Sequence, residues 1–196
     1  MRLEIHHKIA KKICEELKEL GLHFHKESYL LGNLFPDLIH SYFWCKHEYP
    51  ASRNILCKKI EQLKKRPIFF SFRMGVLTHY ISDYFCYPHT RIFDQGMAQH
   101  IMYELRQKVP KRFYKLSLVV KSFAIEELDK LIALYENIRP HLKDNDYDFH
   151  MAVLVASGFF QAAYKYFSYE NFKHGIYIDD LVQLKKSYPI QDFETA

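Results

Sequence analysis

The sequence predicts an all-α fold, a single-domain bundle of several helices, and three observations support it. Apolar residues recur at intervals of three and four over several stretches, as they do on one face of a helix. A sustained alternation of apolar and polar residues, which is typical of strands, is absent. Single prolines and glycines separate the helical stretches, without a long linker. We therefore expect one domain over residues 1–196, large enough to bury a substantial core.

The first helices follow from apolar stripes and their ends. Residues 3–20 carry a regular stripe of leucine and isoleucine, and Gly21 suits the C-terminal cap of that helix. The pattern over residues 22–34 is mixed and predicts only a short helix. Gly32 to Pro36 then predicts a turn, which would present Asp37.

The next part of the chain contains two further helices. Residues 38–50 predict an ordered loop or a broken helix, and residues 51–65 predict an amphipathic helix. Pro67 suits the first position of the following helix, where its missing N–H is not needed. Pro88 ends that helix, because its ring clashes with the preceding turn.

The second half predicts helices of different character. Residues 97–108 predict a helix that Pro110 stops, and residues 111–138 predict one long helix or two short ones. Residues 148–167 are apolar nearly all round, which indicates a central helix. A last short helix is expected over residues 179–184.

Charge and composition exclude few of the possible functions. The net charge of +5 comes from short runs of lysine and arginine. Such runs are typical of solvated helix faces, and they also produce a field that attracts anionic substrates such as phosphodiesters or lipid headgroups. Histidine is more informative: the chain has 12 of them, about twice ordinary usage.

The sequence also suggests a compartment. No stretch approaches the ~20 consecutive apolar residues that a membrane-spanning helix needs. The N-terminal residues are polar and lack the apolar core of a signal peptide, so a cytoplasmic location is expected. None of the four cysteines has CxxC spacing, which makes a cysteine zinc site an unfavoured interpretation. Cys14, Cys57 and Cys86 are expected to be free thiols in the core.

The stretch of highest interest combines His79, Asp83 and His89. Positions i and i+4 project from the same face of a helix, so His79 and Asp83 would reach one ion together. Val76 and Tyr80 fall on that face, which indicates that it points to the core. A buried carboxylate is costly unless it is paired or bound to a metal.

Further candidate ligands lie outside this stretch. A second pair with the same spacing follows it, and a third acid stands directly after Pro36. The full set of candidate metal ligands is His6, Asp37, His47, His79, Asp83, His89, His100 and Glu104. Zinc binds histidine nitrogen and carboxylate oxygen, and this set would suffice for two or three ions. Such clusters activate water and stabilise both ends of a phosphoryl displacement.

At these residues the sequence resembles the zinc-dependent phospholipase C family, whose superfamily includes the fungal single-strand nucleases. The resemblance covers residues 5–105. The motifs that carry it are His6-x-x-Ile9-Ala10, Gly32-x-x-x-Pro36-Asp37, His47, His79-Tyr80-x-x-Asp83 with His89, and His100-x-x-x-Glu104. The spacing from His79 to His89 is the most specific of them.

The resemblance implies three sets of zinc ligands. The first zinc would be bound by Asp37, His47, His79 and Asp83, with His40 as the alternative to His47. The second would be bound by His89, His100 and Glu104. Asp83 would also bridge to a third, held by His6 and Met1. Secreted family members use an N-terminal tryptophan there, whereas this chain has Met1.

The resemblance implies a metal-dependent hydrolase of phosphate esters, a phosphodiesterase of phospholipase C type in which metal-activated water attacks phosphorus near the catalytic Asp37. Phe43, Trp44 and Tyr84 are candidates for substrate binding, for example of a phospholipid headgroup. Two alternatives remain open. One is a nuclease or phosphomonoesterase on the same site, although nucleic acid is not favoured. The other is a non-catalytic helical binding domain that zinc stabilises.

Overall fold

The computed structural model describes residues 1–39, 48–49, 51–111, 118–142 and 146–174, with side chains up to residue 168 in the last helix. In these ranges the chain forms α-helices joined by loops and two short 3-10 turns, without a strand. This confirms the predicted all-α class. The α-helices are α1 (Leu3–Glu19), α2 (Lys26–Leu38), α3 (Arg53–Lys65), α4 (Phe70–Tyr84), α5 (Met97–Arg106), α6 (Ile125–Ile138) and α7 (Asp146–His174).

Helix α4 forms the centre of the bundle. All its residues are buried except Phe72 and Arg73, which are half-buried. It is contacted by α2, α7, α3 and α1. Helix α7 is the second central element, as its apolar sequence predicts, and it packs against both α4 and α1. Side chains on α4 therefore project into the interior, so any polar group there must find partners inside the protein.

Two glycines bring the backbones of α2 and α4 into direct contact. A Cβ atom added to Gly32 would lie 2.0 Å from the carbonyl oxygen of Phe72, and one added to Gly75 would lie 2.2 Å from that of Tyr29. Real Cβ atoms do not approach backbone so closely. Glycine is thus required at both positions, and α2 is fixed against the helix that carries His79 and Asp83.

The boundaries of two helices correct the sequence prediction. Helix α2 continues through Gly32–Pro36, where a turn was expected. Pro36 lacks the N–H that would bond to the carbonyl of Gly32, and the helix ends two residues later. Helix α4 begins at Phe70, and not at Pro67. The reason is that Phe69 adopts a left-handed conformation with φ of 53°, and its carbonyl accepts the first helical bond from Arg73 at 2.9 Å.

The helix boundaries in the second half of the chain differ more from the prediction. Of residues 111–138, only Ile125–Ile138 is helical among those described, because residues 118–124 have no regular structure. Two glutamates in the first turn of α6 favour its start at Ile125. Helix α7 is longer than expected at both ends. The short helix expected over residues 179–184, and most of the segment 38–50, lie outside the described residues.

The end of α1 follows the predicted cap. Gly21 has φ of 71°, a conformation that glycine adopts without strain. Its N–H bonds to the carbonyl of Lys18, and the N–H of Leu22 bonds to that of Leu17. This is the Schellman arrangement, and it turns the chain towards α2.

Within the described residues, no helix combines the length and apolarity that crossing a bilayer requires.

Replacing Gly75 by alanine should destabilise the fold. Alanine is the better helix former, but the methyl group would collide with the backbone of α2, so we expect a net loss of about 1–3 kcal/mol. Urea unfolding measures the difference. The control is Gly96→Ser, whose added Cβ atom would meet only the side chain of Gln99, at 3.4 Å. Gly96 is an N-cap position where serine is acceptable, so a change of only a few tenths of a kcal/mol is expected. Equal stability of Gly75→Ala and Gly96→Ser would contradict the close backbone contact.

Candidate metal centre

The core of the site is a pair of side chains on α4. His79 and Asp83 lie one turn apart, both fully buried, and Nε2 of His79 is 3.4 Å from Oδ2 of Asp83. The ring of His6, from α1, stacks on the ring of His79 with centroids 4.0 Å apart. The i, i+4 prediction therefore describes the geometry correctly, and α1 adds a third polar side chain to the same place.

Asp83 is the common neighbour of two groups of side chains. Its Oδ2 faces His79. Its Oδ1 lies 3.0 Å from the α-amino nitrogen of Met1, 3.1 Å from Nε2 of His6 and 3.3 Å from Nδ1 of His89. One carboxylate thus connects side chains from three separate parts of the sequence.

Glu104 has the corresponding role on the other side of the site. Its Oε1 is 2.8 Å from the Met1 nitrogen, and 3.0 Å from Nε2 of both His89 and His100. Helix α5 presents His100 and Glu104 at i, i+4 spacing. His89 enters the site from a 3-10 turn, Tyr87–His89, which directly follows the end of α4.

Asp37 reaches the site from the last turn of α2. Its Oδ1 lies 3.6 Å from Nε2 of His79. Asn33, one turn earlier, is fully buried between α1 and α4. In the amide orientation that gives both polar atoms of Asn33 a hydrogen bond, Nδ2 donates to the backbone carbonyl of His6 at 3.2 Å and Oδ1 accepts from the backbone N–H of His79 at 3.3 Å. Sequence reasoning missed Asn33, although its i, i+4 spacing to Asp37 placed it on the same helix face.

Burial and charge act in opposite directions on the pKa values in the site. Burial alone would lower the pKa of the Met1 α-amino group, but the nearby Asp83 and Glu104 carboxylates raise it to about 11. Burial opposes ionisation of Glu104, yet hydrogen bonds from His89 and the Met1 amine hold its pKa well below the usual range. Burial and the neighbouring amine lower the pKa of His89. Both shifts favour an ionised Glu104 carboxylate beside a neutral His89 imidazole.

The site gathers most of the predicted ligands, and it has one member that was not predicted. His6, Asp37 and His79 form one group of candidate ligands, and Cys86, His89 and Glu104 form another. Cys86, expected to be an ordinary core thiol, lies in the second group. Its position, midway between Asp83 and His89 in the sequence, was the available signal.

The remaining predicted residues fall into two classes. His40, His47, Phe43 and Trp44 lie outside the described residues. Tyr84 is described, and it is fully buried: its hydroxyl lies 2.8 Å from the Ser52 hydroxyl, and its ring packs edge-on against Tyr49. The structure thus places Tyr84 in the core rather than on an accessible substrate surface.

Comparison with known proteins addresses the family directly. A family model described as zinc dependent phospholipase C matches residues 5–178, which is most of the chain. The chain belongs to the zinc-dependent phospholipase C family. No curated protein and no solved structure matches it. The family match extends well beyond the motif region 5–105 and includes nearly all described residues of the second half.

The residues present fit the zinc that the family name implies. Asp37, Asp83 and Glu104 carry three negative charges and the Met1 amine carries one positive charge, so these groups leave two negative charges in a largely buried site. The ammonium lies among carboxylate and imidazole atoms where a cation is favoured. Ligands bound to one zinc at about 2.0–2.2 Å lie about 3–3.5 Å apart, close to the distances of 2.8–3.6 Å found here.

In the second half of the chain, Asp148 supports the two elements that carry His89 and Glu104. It is fully buried at the start of α7. It accepts hydrogen bonds from Tyr135 Oη at 2.7 Å, from Arg139 Nε at 2.5 Å and from the hydroxyl of Tyr103. The sequence did not single out Asp148, because its partners come from distant segments.

The contacts of Asp148 reach both ligand-bearing elements. The backbone N–H of Tyr87, the first residue of the 3-10 turn that carries His89, donates to Asp148 at 3.0 Å. Tyr103 directly precedes Glu104 on α5. Arg139 also lies over the ring of Tyr87, with 5.0 Å between the guanidinium carbon and the ring centroid. The position of this half of the site therefore depends on α7.

Replacing Asp148 by asparagine should cost about 3–5 kcal/mol of stability. Asparagine offers one acceptor oxygen and no charge, so Arg139 would remain buried without its carboxylate partner. Denaturant unfolding measures the loss, and Asp94→Asn on an exposed loop provides the matched control, for which little change is expected. A loss for Asp148→Asn no greater than for the control would show that the network does not support the fold.

Proposed function

We propose that this protein is a metal-dependent phosphodiesterase of phospholipase C type that uses a cluster of two or three zinc ions. The family match supports the reaction class. The observation that carries the proposal is the position of Asp83, whose Oδ2 faces His79 while its Oδ1 faces His6, His89 and the Met1 amine. A bridging carboxylate between neighbouring ions is a usual feature of multinuclear hydrolase sites.

The ligand assignment follows the family resemblance, and the short distances between these side chains support it. Asp37, His79 and Asp83 would hold the first ion, with His47 as a further ligand from the segment outside the described residues. His89, His100 and Glu104 would hold the second. Met1 and His6 would hold a third together with Oδ1 of Asp83, since both nitrogens lie within 3.1 Å of that oxygen. Each set contains nitrogen and oxygen ligands that zinc accepts.

The exposure of the ligands indicates where substrate would enter. The side chains of His6, His79 and Asp83 are fully buried, whereas those of Asp37, His100 and Glu104 are 17–20% exposed. A phosphate ester would therefore meet the cluster at this partly open edge. The net positive charge of the chain favours the approach of an anionic substrate.

The chemistry is in-line attack of water on phosphorus. Bound zinc would lower the pKa of water and offset the charge that develops on the phosphoryl oxygens. Asp37, at the open edge, would accept the proton of the attacking water and keep the water oriented. Asp83, inaccessible to solvent, would hold its neighbours in fixed positions throughout. The bond from phosphorus to the leaving oxygen then breaks, and that oxygen receives a proton.

The cytoplasmic location stays a prediction.

The experiment that tests this proposal measures metal content and turnover in the same samples. Protein purified without a metal-affinity tag should contain about two to three zinc ions per chain. It should hydrolyse a chromogenic phosphodiester faster than the corresponding phosphomonoester. His79→Ala and Asp83→Ala should each lose zinc and activity, because they remove central ligands. His23→Ala, at an exposed position away from the cluster, should keep both.

The outcomes separate the alternatives. Zinc without turnover of phosphodiesters, phospholipid vesicles or single-stranded DNA would favour the non-catalytic helical domain and overturn the proposal. Turnover of DNA alone would indicate a nuclease on the same site. Unchanged zinc content and activity in both His79→Ala and Asp83→Ala would show that the cluster is not the active site.

The third ion has its own test, which concerns the Met1 amine. Protein whose first residue is Met1 should be compared with a form that carries one added residue before it. The added residue converts the amine into an amide, which is a poor metal ligand, so we expect about one zinc ion fewer per chain. A form extended at the C-terminus controls for the added residue. Equal zinc content in all three forms would exclude Met1 as a ligand.

A further inference from the structure

Cys86 is the one member of the metal centre to which the proposed function gives no role. It is fully buried, in the short connection between α4 and the 3-10 turn that carries His89. Its Sγ, a nitrogen of His89 and an oxygen of Glu104 all lie within 4.8 Å of one another. The sulfur thus lies at the edge of the ligand cluster.

We propose that Cys86 is a protein ligand of the second zinc, together with His89, His100 and Glu104. The inference rests on the proposed function only in that a metal must occupy the cluster. Coordination would bind zinc as the thiolate, and the thiol proton would leave to solvent. The shifts required are small, because ligand atoms around one zinc, with Zn–S of about 2.3 Å, lie within about 4 Å of each other.

A second observation supports a thiolate at this position. Nε2 of Gln107, from the end of α5, donates to Sγ of Cys86 at 3.2 Å. Gln107 is itself buried, and its Oε1 has no hydrogen-bond partner among the described residues. A buried amide directed at a sulfur stabilises negative charge there, and outer-shell donors of this kind are typical of metal-bound thiolates. The side chain of Arg2 holds the Gln107 backbone through its carbonyl at 2.9 Å.

The consequence concerns the coordination of the second zinc. With Cys86 bound, it would have four protein ligands, which is typical of a closed, structural site. A thiolate would also make the second site prefer zinc over manganese or magnesium, because soft sulfur ligands are poorly suited to the harder cations.

The test uses cobalt as a spectroscopic substitute for zinc. The protein is stripped with a chelator and reloaded with Co(II), and the bound cobalt is counted by elemental analysis. A thiolate bound to Co(II) produces a near-ultraviolet charge-transfer band that nitrogen and oxygen ligands do not produce. Wild-type protein should show this band. Cys86→Ser should lose it, and its zinc affinity at one site should fall by at least about 10–100-fold.

The matched control is Cys14→Ser. Cys14 is also a buried free thiol, on α1, and it is not part of either ligand group. It should keep the band and the full cobalt content. If Cys86→Ser does not fold, X-ray absorption at the zinc edge of the wild-type protein gives the same answer, since a Zn–S distance of about 2.3 Å differs clearly from Zn–N and Zn–O distances of about 2.0–2.2 Å.

Each outcome decides the question. Cobalt bound without the band, or zinc surrounded only by nitrogen and oxygen, would overturn the role of Cys86 and leave the proposed function intact. A band that survives in Cys86→Ser would also overturn it. A protein that binds neither cobalt nor zinc would overturn both this inference and the proposed function.

Discussion

The whole site depends on one buried carboxylate, that of Asp83. A charged oxygen without solvent is costly unless cations or hydrogen-bond donors surround it. The fold supplies such groups from α1, from the 3-10 turn after α4 and from the first residue of the chain. Because Asp83 lies on the most buried helix, its partners must come inward to it. The convergence of the histidines follows from this requirement.

The second constraint is the contact between α2 and α4. Gly32 and Gly75 let the two backbones touch, so Asp37 and Asn33 on α2 are held at a fixed distance from His79 on α4. A side chain at either glycine would push the helices apart and change the distance between Asp37 and His79. The Gly32 motif was noticed in the sequence as part of a turn. In the structure, Gly32 permits the close packing of α2 against α4. The expected turn is absent because this packing contact favours a continuous helix, although Pro36 disfavours one.

The sequence predicted which polar side chains come together better than it predicted where the helices begin and end. The spacing of His79 and Asp83, and of His100 and Glu104, is a local helical property, and helical spacing can be read without knowing the fold. Asn33, Cys86, Gln107 and Asp148 were missed for the opposite reason. Their significance comes mainly from contacts that only the fold creates, such as the hydrogen bond from Tyr87 to Asp148 across 61 residues. The start of α6 was misplaced because the apolar residues before it pack without forming a helix.

The network around Asp148 explains why α6 and α7 belong to the site although they contribute no predicted ligand. Helix α7 fixes Tyr87 and Tyr103, and these residues lie next to His89 and Glu104 in the sequence. Asp37 and His79, by contrast, are held by the contact between α2 and α4. The two parts of the cluster therefore have separate supports, which meet at Asp83 and at the Met1 amine. A site built this way would let one part gain an additional ligand such as Cys86 without a change in the other.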